Sequence, residues 1–280
     1  MRKLLIYGIL IFSLGFRPAA AANPPKAIEF QVEIRSRGEG IETREQSTIA
    51  WWEGRWAESS ADGALILDLA GDRCLLIDHV HRIWTGGTVN GFLTEMEQEI
   101  TQLAGKVQES YGLPRREPAP KEKTVPVRVE SMGIDEKDGR KCLHYKIFAG
   151  AELKEELWLD PSVKPAAYLP LDRFLPALNR FSTINAIFGR ELRAPAEFRT
   201  EQAIQAELAR LFPLGLEIRS QEYRAGKPTY EKRVSGIREW SGDAARFDPP
   251  ADYRRVTYKE YLDTSLPDVK DPLGSEDEKE

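Results

Sequence analysis

The stretch AIEFQVEIRS, residues 27–36, alternates between apolar and polar side chains along its length. Successive side chains of a β-strand point to opposite faces of a sheet, so one face of this segment is apolar and the other is polar. The apolar face carries Ile28, Phe30, Val32 and Ile34. The pattern therefore predicts a strand that is buried on one side.

Short apolar runs separated by turn residues continue from this strand to Gly86. Most of the turns contain glycine or aspartate, which favour tight reversals of the chain. The runs are QSTIAWW (46–52), RWAESS (55–60), ALILDLA (64–70), RCLLIDH (73–79) and RIWTG (82–86). Strands this short and this closely spaced predict an antiparallel meander.

The apolar period lengthens to that of a helix after residue 89. The apolar positions now recur at the spacing of one helix face, and they are Phe92, Met96, Ile100, Leu103, Val107 and Tyr111. A proline-rich and charged stretch, LPRREPAPKEKTVP (113–126), then interrupts the pattern. We interpret residues 90–126 as an inserted helix followed by a surface loop.

The second half of the chain contains further strands and two amphipathic helices. The first helix is expected to become regular near Phe174, because Pro176 disturbs its start, and the second is expected to be capped by Thr200. Three strands and a hairpin are predicted in residues 127–133, 139–150, 153–160 and 214–240. Because the helices are few and clustered, we expect an α+β fold in which helices cover one face of a large antiparallel sheet.

The N-terminus has the features of a signal peptide. A positively charged start and the apolar run LLIYGILIFSLGF (4–16) are followed by small residues that suit cleavage before Asn23. We therefore expect residues 1–22 to be removed and the mature protein to be periplasmic or secreted, without a transmembrane segment. No cysteine lies near this position, so lipid attachment there is not expected.

Composition limits the class of protein. The 280 residues include 41% hydrophobic and 30% charged side chains, and the formal net charge is −5. These values are typical of a globular protein and give no sign of binding to nucleic acid. We expect a single domain over residues 23–262 and a disordered acidic tail over residues 263–280.

Several short motifs occur together in an order that resembles a family of exported domains of unknown function. They are WWEGRWAES, LILDLAGDRCLLID, GRKCLHYKI, EELWLD, FPLGLEIRS and RFDPPADYRRV. In layout the chain resembles the lipoprotein-carrier (LolA-like) superfamily. The resemblance implies an antiparallel sheet curled into an incomplete barrel, helices covering its concave face, and a lid or plug helix over residues 171–188. The long insertion at residues 90–126 departs from this layout.

The same resemblance implies a non-enzymatic protein that holds a lipid acyl chain or another apolar ligand in the half-barrel and needs no cofactor. The sequence contains no nucleophile elbow, P-loop, dinucleotide fingerprint or metalloprotease helix. The expected cavity lining consists of inward-facing apolar residues, namely Ile66, Leu76, Trp84, Trp158, Phe174, Leu178 and Phe181.

Both cysteines and all three histidines fall in two short stretches, RCLLIDHVHRIW (73–84) and GRKCLHYKIF (139–148). Cysteines in an oxidising compartment tend to pair. We therefore predict a disulfide between Cys74 and Cys142, with two buried thiols as the alternative.

A metal site is the third interpretation of these stretches. His79 and His81 share one face of a strand, as do Cys142 and His144, and the two pairs would make a tetrahedral site if their strands were neighbours. Cys74 has the opposite parity to both of the first two histidines, and a disulfide would remove the thiolate that a metal needs. We therefore predict no bound metal.

Two other functions remain open. Residues 90–126 and the acidic tail are candidate contacts for a protein partner of the cell envelope, which would make the chain an interaction or sensor module. The cysteine and histidine stretches are candidate ligands in a periplasmic metal or redox protein.

Overall fold

The computed structural model describes residues 27–38, 41–110, 125–192 and 195–265. The predicted signal peptide, most of the proline-rich loop and residues 266–280 of the predicted tail lie outside these described residues.

Twelve strands of the described chain form one sheet. They are β1 (Ala27–Gly38), β2 (Ile41–Trp52), β3 (Arg55–Ser59), β4 (Gly63–Asp68), β5 (Arg73–Asp78), β6 (Ile83–Gly87), β7 (Val127–Lys137), β8 (Arg140–Ala149), β9 (Glu152–Asp160), β10 (Leu216–Arg224), β11 (Lys227–Trp240) and β12 (Arg254–Arg255). Their order across the sheet is β12-β6-β5-β4-β3-β2-β1-β11-β10-β9-β8-β7.

The sheet is antiparallel throughout, apart from the short parallel pair of β12 with β6. Strands β12 and β7 each have a neighbour on one side only, so the sheet is not closed into a barrel. The meander predicted from the N-terminal runs is present as β2 to β6, and the alternating stretch that contains Phe30 forms β1 near the centre. The predicted α+β class with a large, open antiparallel sheet is confirmed.

Four helices accompany the sheet in the described residues. They are α1 (Val89–Ser110), α2 (Leu171–Leu192), α3 (Pro195–Leu211) and α4 (Tyr258–Ser265). None of them combines the length and the apolar character that crossing a bilayer requires.

Two helix starts differ from the prediction. Helix α2 begins at Leu171 although Pro176 lies inside it, because the amides of Arg173 and Phe174 already donate to the carbonyl of Pro170 and start the first turn. Helix α3 begins at Pro195, before Thr200. Proline suits a first helical position because its missing N–H would have no partner there.

Helix α4 was not predicted, and it corrects the start of the predicted tail, since residues 263–265 are helical. The sequence does carry a signal for it. Thr257 is followed three residues later by Glu260, as in a capping box, and the Thr257 hydroxyl accepts a hydrogen bond from the Glu260 amide.

Both faces of the sheet bury apolar side chains. The main core contains residues of α1, α2 and α4 together with one face of the strands. A smaller cluster on the other face of β2 to β6 packs around Phe247, in a short 3-10 turn. The adjacent Trp51 and Trp52 divide between the two, since Trp51 contacts Phe30 and Trp52 contacts Phe247.

Gly86 marks a place where β5 and β6 approach too closely for a side chain. A Cβ atom on Gly86 would lie 2.3 Å from the carbonyl oxygen of Cys74, whereas one on Gly87 would meet nothing closer than Phe92, at 3.7 Å. Gly86→Ala should therefore lower the free energy of unfolding by about 1–3 kcal/mol through overpacking. Gly87→Ala is the matched control and should have little effect. Urea unfolding followed by tryptophan fluorescence measures both, and equal losses would contradict the close approach.

Candidate ligand-binding site

The two cysteines do not form the predicted disulfide. Cys74 lies in β5 and Cys142 in β8, and both are buried free thiols. Strand β5 is third and β8 is eleventh in the order of strands, so seven strands separate them. Burial raises the pKa of the Cys74 thiol to about 12 and that of the Cys142 thiol to about 11. Neither thiol therefore supplies the thiolate that redox or metal chemistry needs.

The histidines are not brought together with the cysteines either. His79 and His81 lie in the turn between β5 and β6, where His81 Nδ1 is 2.8 Å from Asp78 Oδ2 and His79 Nδ1 is 3.2 Å from the Tyr253 hydroxyl. No group of three histidine, cysteine or acidic side chains in the described residues is placed to hold a metal ion.

His144 belongs to the other half of the sheet. Its ring stacks on Trp158 with 4.6 Å between ring centroids, and the Trp158 indole N–H donates to Asp135. Because Trp158 has the opposite strand parity to Leu157 and Leu159, it faces away from the surface that α3 covers.

The predicted cavity-lining residues therefore do not form one wall. Leu76, Phe174, Leu178 and Phe181 belong to the main core cluster, which also includes Trp158. Ile66 and Trp84 lie in the cluster on the opposite face of the sheet, around Phe247. The strand order and the register of β4 and β6 determine on which face of the sheet Ile66 and Trp84 lie. Neither could be obtained from the sequence. Binding of a ligand by any of these residues stays a prediction.

Helix α2 fills the covered face as a plug. Phe174, Leu178 and Phe181 are almost completely inaccessible to solvent, and Phe174 packs on Trp56 of the sheet and on Phe212. These three side chains fill the space between their part of α2 and the sheet. An empty space must be sought elsewhere on the covered face.

A cavity of about 50 Å³ lies between α3 and the sheet, and we call it the α3 cavity. Leu208 and Gln205 of α3 line one side, and Phe212 follows at the end of the helix. Strands β9, β10 and β11 supply the other side through Glu155, Leu157, Leu159, Glu217, Ser220, Glu222, Tyr230 and Lys232. Typical ligand pockets measure about 300–1,000 Å³, so the α3 cavity as it stands has room for water-sized groups only.

The register of the strands places these side chains side by side. Ser220 lies opposite Leu157 on one neighbouring strand and opposite Lys232 on the other. Glu222 lies opposite both Glu155 and Tyr230. A β-bulge at Glu217 and Arg219 turns Glu217 toward Leu159, so a third acidic side chain joins the same face. The floor of the α3 cavity is therefore an apolar strip beside an acidic patch.

The electrostatics of the patch are dominated by carboxyl groups. Burial raises the pKa of Glu155 well above its usual value, and the nearby Glu222 and Glu217 raise it further. Glu155 therefore favours the neutral form. Burial also raises the pKa of Glu58, which lies near Lys232 on the same face. Lys232 is engaged by Glu217, with 3.2 Å between Nζ and Oε1.

Two polar groups at the α3 cavity lack hydrogen-bond partners among the described residues. The residue Glu155 is only 7% exposed, and its carboxyl makes no hydrogen bond within the described part of the chain. Gln205 Oε1 is buried and unpaired as well. Buried polar groups are nearly always paired, so each of these two groups is a place where a water or a ligand group can bind.

Helix α3 is held less firmly than α2. Among its described side chains only Ala209 and Leu211 are buried, while Ile204 and Leu208 remain partly exposed although they face the sheet. The α3 cavity was not predicted, yet one feature of the sequence pointed to it. Glu155 follows the same alternation as Leu157 and Leu159, so it falls on the apolar face of its strand.

Comparison with known proteins gives similarities in fold only. No family model and no curated protein match the chain. Among solved structures, an uncharacterised conserved protein from Thermus thermophilus has 6% identity and a TM-score of 0.40, over 82% of this chain and 90% of that one. PNGF-II has 7% identity and a TM-score of 0.36, and the match covers 86% of this chain but only 33% of PNGF-II.

A LolA superfamily protein from Nitrosomonas europaea also matches, with 8% identity and a TM-score of 0.24, over 81% of this chain and 91% of that one. The superfamily named by the sequence motifs is thus found among the structural matches. At TM-scores of 0.40 or less, none of these matches assigns a function to the chain.

Proposed function

We propose that the chain is a non-catalytic, exported protein that binds an apolar or amphiphilic ligand between helix α3 and strands β9 to β11. One observation carries the proposal. Helix α3 lies over a cavity that has an apolar strip and unpaired polar groups, and among its described side chains Ile204 and Leu208 face the sheet while being only partly buried. Helix α2, for which the resemblance implied a lid or plug, is a plug whose buried side chains belong to the main core.

The energetics favour α3 as the element that moves. Removing α2 would expose several fully buried large side chains, each worth about 1.5–3 kcal/mol. Lifting α3 exposes, among its described side chains, mainly Ala209, Leu211 and the buried parts of Ile204 and Leu208. Burial of a ligand contributes about 0.8 kcal/mol per methylene, so a chain of several methylenes offsets the cost of opening α3 but not that of extracting α2.

The other candidate functions find less support in the described residues. Helix α1, which begins the predicted partner-binding insertion, packs into the main core through Phe92, Leu93 and Met96. It is therefore a structural element of the domain. The proposed metal or redox site would need the cysteine and histidine stretches together, and they lie on well-separated strands.

The test is uptake of the uncharged fluorescent probe N-phenyl-1-naphthylamine. We expect saturable enhancement of its fluorescence by the wild-type protein. Ser220→Val should lower the affinity about tenfold, or about 1.4 kcal/mol, because the larger side chain fills the α3 cavity, which Ser220 lines while being only 3% exposed.

Ser235→Val is the matched control, because Ser235 is an exposed serine of β11. It should leave probe binding unchanged. A wild-type protein that never enhances the fluorescence of the probe would overturn the proposed function. Equal losses in the two variants would move the binding site away from the α3 cavity.

A further inference from the structure

We infer that the α3 cavity selects a single-chain amphiphile whose head group is cationic or donates hydrogen bonds, such as a long-chain amine or alcohol, and rejects anionic head groups. This inference rests on the proposed function and specifies the ligand class of the same site. It follows from the charge around the cavity, from the hydrogen-bonding groups left open there, and from the position of the apolar strip.

The charge around the α3 cavity favours a cation. Glu155, Glu217 and Glu222 line it, and Lys232 is the one basic residue among the described residues of its lining. That lysine is already engaged by Glu217. Because Glu155 favours the neutral form and Lys232 is engaged by Glu217, a carboxylate or phosphate entering the cavity would find no free basic partner in the described lining, and an unpaired charge in a poorly solvated site is costly. An ammonium group can instead pair with the Glu155 carboxylate once that group ionises.

The unpaired hydrogen-bonding groups of the α3 cavity favour a ligand whose head group donates hydrogen bonds. Gln205 Oε1 is a buried acceptor without a partner among the described residues. The Glu155 carboxyl accepts when ionised and both donates and accepts when protonated. An ammonium group has three donors and no acceptor, and a hydroxyl has one donor. Either head group satisfies Gln205, whereas a carboxylate or phosphate oxygen has no proton to give it.

The apolar strip determines the direction in which the alkyl chain of the ligand would lie. Leu157 and Leu159 of β9 follow Glu155 along one face of the strand, and Leu208 lies across from them on α3. A head group at Glu155 therefore places the attached chain along these leucines, beneath the partly buried face of α3. The same residues explain why one end of the ligand must be polar and the other apolar.

Glu155 changes its protonation when the ligand is cationic. In the free protein, burial and the neighbouring Glu222 and Glu217 raise the pKa of its carboxyl. A bound ammonium favours the ionised carboxylate. Binding of the amine therefore releases the Glu155 proton to the solvent, up to about one proton per ligand, while binding of the alcohol releases none.

The experiment compares three ligands with the same alkyl chain. Dodecylamine, dodecanol and dodecanoic acid compete with N-phenyl-1-naphthylamine at neutral pH, each below its micelle concentration. We expect the amine to bind at least tenfold more tightly than the acid, with the alcohol between them. Calorimetry in buffers of different ionisation enthalpy measures the released proton.

Two glutamine variants of equal net charge locate the effect. Glu155→Gln should reduce the preference for the amine and abolish proton release. Glu156→Gln changes the next residue of β9, on the opposite face of the strand, and should preserve the order of the three ligands.

The outcomes separate the two proposals. If the uncharged probe fails to bind, the proposed function is overturned. If the probe binds but dodecanoic acid displaces it as well as dodecylamine does, the function stands and the head-group inference is overturned. If Glu155→Gln leaves the preference for the amine intact, or Glu156→Gln removes it, the assignment to Glu155 is overturned.

Discussion

Phe181→Ala should lower the free energy of unfolding by about 3–5 kcal/mol, the usual cost of deleting a buried aromatic side chain. Phe181 lies in α2 with 0% of its surface exposed, inside the main core. The variant loses the burial of the ring and leaves a cavity that the surrounding helices and strands fill only in part. Urea unfolding followed by circular dichroism measures the loss.

The matched control for this prediction is Leu208→Ala in α3. Leu208 is only partly buried, so its removal should cost less than about 2 kcal/mol, below the range of fully buried leucines. The contrast tests the different roles of the two helices. If Leu208→Ala were as destabilising as Phe181→Ala, α3 would be a fixed part of the core. That result would contradict the proposal that α3 moves to admit a ligand.

Asp68→Ala should cost about 2–3 kcal/mol, because it removes a buried carboxylate that accepts hydrogen bonds from arginine and from a backbone amide, and hydrogen bonds to charged groups contribute about 1.5–3 kcal/mol. The Asp68 side chain is 2% exposed, and its carboxylate lies 2.9 Å from Arg73 Nη2 and 3.3 Å from Arg55 Nε. It also accepts a hydrogen bond from the Gly71 amide. These contacts hold together the turn between β4 and β5.

The effect of Asp68→Ala should depend on pH with a definite sign. Burial alone raises the pKa of Asp68, but the Gly71 amide and the two arginines outweigh burial and lower it below the usual value. A carboxyl with a lowered pKa stabilises the fold above the pKa of the unfolded chain and loses that contribution as the pH falls through the folded value. The difference between wild type and variant should therefore shrink below about pH 4.

Asp248→Ala is the control for this prediction. Asp248 pairs with the same Arg73, but its side chain is 48% exposed. Surface ion pairs contribute about 0–1 kcal/mol, so this variant should remain close to wild type at every pH. If Asp68→Ala proved equally mild, or if its effect grew in acid, the buried carboxylate would not be an ionised anchor of the turn.

The sequence predicted those elements whose pattern is local. Alternation in residues 27–36 identified β1, and the short apolar runs that follow identified the meander of β2 to β6. Strand order is not local. Nothing near Cys74 or Cys142 reveals that seven strands lie between β5 and β8, and for that reason the predicted disulfide was wrong.

The candidate site was less predictable than the fold. Its floor requires the register of three strands, which brings Ser220 beside Leu157 and Lys232. Only the apolar-face position of Glu155 could be obtained from the sequence, and a glutamate in a run of charged residues is usually solvated. Helix α4 could have been predicted more easily, because Thr257 and Glu260 form a recognisable capping pattern.

The central position of β1 has a consequence for how the chain reaches its folded state. Glu29 of β1 pairs with Arg238 of β11, so the middle of the sheet is completed by residues from opposite ends of the domain. During synthesis from the N-terminus, one edge of β1 stays without its partner until β11 has emerged. Such long-range pairing is slow, and an unpaired apolar edge is prone to aggregate. The centre of the sheet therefore forms only once Lys227–Trp240 is available to pair with β1.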